Sequence, residues 1–214
     1  MEKIIFKKIS EFAQKHIGDI NSFICVYGSY ASGNHSVLSD LDIFIAAEKH
    51  EPYFFDVFKS FLLDIHERYG LNTDDEVPYE NKIIVSYQDV LRAVQLKPFT
   101  LNSRKSLVVP PVEKTKEFLS SDGVRWRLIL NALTSPHVCL YGNHVAYEDF
   151  VRQAESAIVK LARSLCSDNV LDETQLLESL LASNRGHEGE NYLGYKRERE
   201  SVVKHLKDII ERHI

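Results

Sequence analysis

The chain has 214 residues, with 26 Lys and Arg against 31 Asp and Glu, a formal net charge of −5. That length suits one large domain or two small ones, and an apolar content of 44% supports a sizeable core. The acidic balance gives no sign of a duplex-binding protein that relies on a basic face, though it leaves room for local basic patches, and no apolar run is long enough to span a membrane.

The first segment, residues 2–17, predicts an amphipathic helix with Ile4, Ile5, Ile9, Phe12 and Ile17 toward one side, stopped by Gly18-Asp19. It is charged and has no signal-peptide core. Cys25, Cys139 and Cys166 are odd in number and widely spaced, which predicts reduced thiols in a cytoplasmic protein. No Cys/His spacing matches a zinc motif.

Residues 22–27 predict a buried strand, 29–33 one helical turn, and 40–47 a second strand. Between them the chain reads Tyr27-Gly-Ser-Tyr-Ala-Ser-Gly33 and then Ser39-Asp-Leu-Asp42. Alternate strand residues share a face, so Asp40 and Asp42 are expected to project together while Leu41 and Ile43 turn into a core. Two neighbouring carboxylates repel unless a cation lies between them. Hard oxygen ligands suit Mg²⁺, and a Gly-Ser turn can present N–H groups to phosphate.

Pro52 opens a helix with Phe54, Phe58, Phe61, Leu62 and Ile65 on its apolar stripe, and Gly70 ends it. Strands are expected near 73–77 and at 82–87. Pro110-Pro111 punctuates the chain. Helices are expected beyond it at 113–134, 147–166, 173–183 and 196–213. The fold class is therefore α+β, a mixed sheet with flanking helices (1–111) followed by a helical C-terminal domain (112–214).

Nucleotidyl transfer needs positioned metals and charge neutralisation more than covalent help. Two Mg²⁺ ions about 3.5–4 Å apart hold the attacking and leaving oxygens of an in-line displacement. Such a site takes a close carboxylate pair, here Asp40 and Asp42, and a third acid from an adjacent strand. Thr73-Asp-Asp-Glu-Val77 supplies Asp74 or Glu76, which share a face. Asp74 is favoured. Lys82 opens a strand near the site and is a candidate for phosphate neutralisation; Ser39 either bonds phosphate or caps its turn.

The pattern Gly-Ser-Tyr-Ala-Ser-Gly…Ser-Asp-Leu-Asp-Ile-Phe-Ile resembles the polymerase-β-type nucleotidyltransferase superfamily over residues 22–87, and the helical half is similar in layout to small-substrate, antibiotic-modifying members. The resemblance implies an NTP bound with Mg²⁺ and transfer of a nucleoside monophosphate with release of pyrophosphate. Carried over by position, Gly28 and Ser29 hold the triphosphate, and Asp40 and Asp42 bind metal. The acid after Asp74 departs from the apolar flanks usual at the third ligand. The leading expectation is an enzyme acting on a small hydroxyl- or phosphate-bearing acceptor, with ATP the default donor. The alternatives are a protein or tRNA acceptor, and a module that binds NTP without turnover.

Outside this region, Tyr30 is expected to pack behind the turn rather than stack on a base, and His35 to sit in an exposed loop. Arg104 and Lys105 are expected in a solvated loop before Pro110, with reach to the triphosphate as the alternative, and either Arg125 or Arg127 could turn toward the cleft from a predicted helix. Glu188 and Glu190, in a glycine-rich loop, are candidates for a general base.

Overall fold

The computed structural model describes residues 2–17, 22–37, 39–47, 52–72, 84–86, 100–101, 107–108, 132, 135–165, 174, 177 and 195–213. The expected elements at 73–77, 113–134 and 173–183 fall outside them, wholly or nearly so.

Helix α1 (Glu2–His16) buries Ile5, Ile9 and Ala13, a strict four-residue spacing, with Glu2 in the first turn and Lys15 and His16 in the last, where the backbone dipole favours those charges. Ile4 is 54% exposed, contrary to expectation. One residue turns the helix by about 100°, so the stripe through Ile5 and Ile9 leaves Ile4 at its edge.

Strand β1 (Phe23–Tyr27) is buried at every position because it is covered on both faces. Ile24 and Val26 join α1 in a core with Tyr30, Leu41, Ile43, Ile45, Phe58, Leu62 and Ile65. Phe23 points the other way and meets Tyr147 and Phe150 edge-on, with ring centroids 5.2 Å apart in each pair. Helix α2 (Gly28–Ser32) follows directly and ends at Gly33, whose φ is 73°.

Strand β2 (Ile43–Ala47) pairs antiparallel with β1, Val26 opposite Ile43. It starts three residues later than the hydrophobic pattern suggests. Asp40 instead makes a single parallel bridge to Asn72, and Leu41 is nonetheless buried, as expected. Helix α3 (Pro52–Tyr69) carries Phe58, Leu62 and Ile65 into the core, and Phe61 stacks on Phe12 at 4.1 Å. Gly70, at φ 62°, closes it, and the Leu71 N–H returns to the His66 carbonyl. Strand β3 (Ile84–Ser86) lies parallel to β2, and β4 (Thr100–Leu101) with β5 (Leu107–Val108) makes a separate antiparallel pair.

The sheet is completed by a strand that falls between two expected helices. Strand β6 (His137–Gly142) runs antiparallel to β1, giving the order β3-β2-β1-β6. The clue was His-Val-Cys-Leu-Tyr before a glycine, a short run of strand-forming residues stopped by a turn residue. Helix α4 (His144–Leu165) starts three residues before its expected position because Asn143 Oδ1 accepts the Ala146 N–H at 3.0 Å, an N-cap bond. Helix α5 (Tyr195–His213) buries Val202, Leu206, Ile209 and Ile210. It packs against α4 and also against α2.

Candidate active site

The end of β1 is fixed from both sides. The Tyr27 N–H donates to the Asp42 carbonyl at 3.0 Å, and the Gly28 N–H donates to the Pro136 carbonyl at 2.9 Å. The ladder to β2 thus continues back to Asp42, while the residue before β6 holds the first residue of the turn. Backbone pairing therefore sets where the Gly-Ser turn and the second aspartate lie relative to each other.

Gly28 adopts φ 70°, a conformation that costs little without a Cβ. A Cβ built there would lie 2.6 Å from Asp42 Oδ2. The Asp42 carboxylate therefore sits directly over the Gly28 backbone, which brings the glycine turn and this acid to one place. Asp42 is half-buried. Asp40 is also half-buried and lies near enough to Tyr30 that its charge, second to burial, pushes the phenol pKa up.

Other sequence candidates occupy defined positions. Ser29 is 6% exposed in the first turn of α2; its carbonyl accepts the Asn34 N–H at 2.9 Å and the Ser32 hydroxyl at 3.1 Å. Ser39 is buried, and its hydroxyl accepts the Ser36 N–H at 3.0 Å while the Ser39 N–H returns to the Ser36 carbonyl, so this side chain ties its own turn. Tyr30 is packed in the core, as expected. His35 is not an exposed loop residue. Its ring stacks on Tyr30 at 4.3 Å, and Nδ1 lies 3.8 Å from the Glu2 carboxylate. Asp74, Glu76, Lys82, Arg104, Lys105, Arg125, Arg127, Glu188 and Glu190 lie outside the described residues.

The sequence reading missed two neighbours of this turn. Pro136 contributes only a backbone carbonyl, which no side-chain motif can signal. Asn34, just after Gly33, donates from Nδ2 to the Ser201 hydroxyl at 2.5 Å, which ties α5 to the chain beside α2. Helix α5 thus reaches the chain beside the turn.

The fit of divalent metal to this place rests on charge. The Asp42 carboxylate lies over a backbone turn, and Asp40 lies two residues away on the same approach to β2. Such carboxylates, half-buried, are oxygen ligands of the type Mg²⁺ takes.

A strand running into a Gly-Ser turn, beside a neighbour entered through paired aspartates, defines a polymerase-β-type nucleotidyltransferase when set in a mixed sheet with flanking helices. Residues 6–108 match the family described as a nucleotidyltransferase domain. The protein is accordingly a nucleotidyltransferase enzyme. No curated protein and no solved structure matches the chain. Among the described residues, no helix is long and apolar enough to cross a membrane.

Proposed function

We propose that the protein transfers a nucleoside monophosphate from an NTP, ATP by default, to a small hydroxyl- or phosphate-bearing acceptor, releasing pyrophosphate. The observation that carries this reading is the placement of the Asp42 carboxylate against the Gly28 turn, 2.6 Å from where a Cβ would stand. An NTP needs a phosphate-binding turn and metal-binding acids within one span of its triphosphate, and only a glycine lets the two meet this closely.

In this reading Gly28 and Ser29 bind the β- and γ-phosphates. The Gly28 N–H is already given to Pro136, so Ser29 supplies the polar contacts through its N–H and hydroxyl, and Gly28 supplies clearance. Asp40 and Asp42, with Asp74 or Glu76 as the third acid, would hold two Mg²⁺ ions. When bound, such ions neutralise charge on the triphosphate and on the leaving pyrophosphate. The acceptor oxygen attacks the α-phosphorus in line, the bond to the β-phosphate oxygen breaks, and the acceptor proton passes to a base or to solvent. Lys82 offsets phosphate charge. Ser39, whose hydroxyl holds Ser36, acts by fixing the loop that delivers Asp40 and Asp42.

The acidic net charge of −5 favours a small acceptor over tRNA, whose binding requires a dense basic surface. The experiment is incubation with each of the four NTPs and Mg²⁺ over a panel of small acceptors, read by mass spectrometry of the acceptor and by pyrophosphate release. A mass increment of one nucleoside monophosphate supports the reading. NTP binding without pyrophosphate release over the whole panel, or modification of tRNA or protein alone, rejects it.

A further inference from the structure

Besides the aspartates, three side chains from three elements converge near the Tyr27 end of β1, which pairs with His137. His137 opens β6, Glu155 lies in the middle of α4, and His205 lies in α5. One ligand atom from each falls within 4.8 Å of the other two. Glu155 is 2% exposed and His137 and His205 are half-buried. We propose that His137, Glu155 and His205 form a binding site for a divalent transition-metal ion of the zinc class, which ties the edge strand of the sheet to both C-terminal helices.

The unsatisfied chemistry of His137 carries the argument. Its Nδ1 is 2.5 Å from the Tyr147 hydroxyl, whereas its Nε2 is buried with no hydrogen-bond partner among the described residues. A buried imidazole nitrogen without a partner costs free energy, and a cation supplies the missing partner. Tyr147 also bonds Cys25, so its hydroxyl can donate to that sulfur and accept from His137 Nδ1–H. That arrangement leaves Nε2 as a bare lone pair, the form that binds metal.

Glu155 is held in the same manner. Oε2 accepts Arg212 Nε at 3.3 Å and His213 Nε2 at 3.2 Å, and Oε1 accepts Arg212 Nη2 at 2.7 Å. Oε2 is then filled, and Oε1 retains a lone pair. Tyr147, Arg212 and His213 thus take the place of the outer partners that orient metal ligands.

Ligand type selects the ion. Two imidazoles and one carboxylate suit zinc and its neighbours, whereas Mg²⁺ takes oxygen. Tetrahedral zinc with bonds of 2.0–2.1 Å sets ligand atoms about 3.3 Å apart, so the side chains would draw in slightly on binding. Three protein ligands leave a fourth position for water.

The test uses the full chain, stripped with chelator and titrated with Zn²⁺ against a chromophoric competitor, with metal content measured by mass spectrometry. One zinc per chain is expected, retained in Asp42→Asn and weakened at least a hundredfold in His205→Gln and Glu155→Gln. Tyr147→Phe should weaken it about 10–100-fold, the range for loss of an outer partner. Co²⁺ in place of zinc should give the intense visible absorption of a four-coordinate site. Where a ligand variant fails to fold by circular dichroism, the wild-type chain decides: Zn²⁺ should protect His137 and His205 from diethylpyrocarbonate. Absence of stoichiometric zinc, loss of it in Asp42→Asn, undiminished binding in both ligand variants, or no protection of these histidines overturns the proposal.

Discussion

The Asp42 carboxylate lies over the Cα of Gly28, so close that a methyl group on that carbon would stand 2.6 Å from Oδ2. This contact joins the end of β1 to the entry of β2, and it depends on the absence of a single side chain. The first prediction follows from it. Gly28→Ala must either expel the Asp42 carboxylate or shift the turn, and it also places alanine at φ 70°. The backbone cost alone is about 1–2 kcal/mol. Urea unfolding should show a loss of at least that size, and pyrophosphate release should fall to background. Unchanged turnover would separate Gly28 from the site.

Asp42→Asn should abolish Mg²⁺-dependent turnover while keeping the fold. The strand pattern expects Asp40 and Asp42 to face one space, where replacing one carboxylate removes a repulsion in the metal-free protein. Its melting temperature in chelator should therefore equal or slightly exceed that of the wild type. A large drop would assign Asp42 a structural task, such as holding the Tyr27 end of β1 through more than its carbonyl.

Gly142→Ala tests the importance of β6. A Cβ there would lie 2.1 Å from the Ser22 carbonyl oxygen and 2.6 Å from the Phe23 Cα, and φ is 110°. Both obstacles are backbone, so neither can swing aside. The variant should lose more than about 2 kcal/mol in urea unfolding. A near-normal midpoint would mean that the β1–β6 register is not as described.

The Asn34–Ser201 hydrogen bond makes α5 part of the site's support. Asn34→Ala and Ser201→Ala should each cost about 1 kcal/mol. In a double-mutant cycle the two losses should not add, because both remove the same bond. Strict additivity in urea unfolding would deny the contact.

Arg212→Ala leaves the buried Glu155 carboxylate with His213 as its remaining ion-pair partner among those described. Stranding a buried charge is costly, though Arg212 is itself half exposed and solvent screens its share. A loss of about 2 kcal/mol is expected in chelator, measured by urea unfolding. A change below about 0.5 kcal/mol would show that water replaces the guanidinium.

The sheet core and the Gly28 turn were legible in the sequence because both are local. A five-residue apolar run, a Gly-Ser, a second glycine and an Asp-x-Asp sit within one short stretch, and the backbone reads such signals over a few residues. Helices α1, α3 and α5 were equally legible, since the stripe through Ile5 and Ile9, or through Leu206 and Ile210, repeats at the pitch of the helix itself. The start of β2 was misplaced because Asp40 satisfies its backbone by bridging to Asn72, 32 positions away along the chain, which no local pattern encodes.

The sequence by itself pointed to the class of chemistry, for Gly28, Ser29, Asp40 and Asp42, on which the resemblance to the superfamily rests, lie in one short stretch. Tertiary structure decided what stands around them. It set β6 beside β1, gave the Gly28 N–H to Pro136, and brought His137, Glu155 and His205 together from positions 18 and 50 residues apart. Spacing rules look for ligands on one loop or one helical face, so a cluster assembled by strand pairing and helix packing leaves no trace in the order of residues. Burial produced that cluster: the apolar faces of α4 and α5 had to be covered, and covering them carried their polar residues to the same spot.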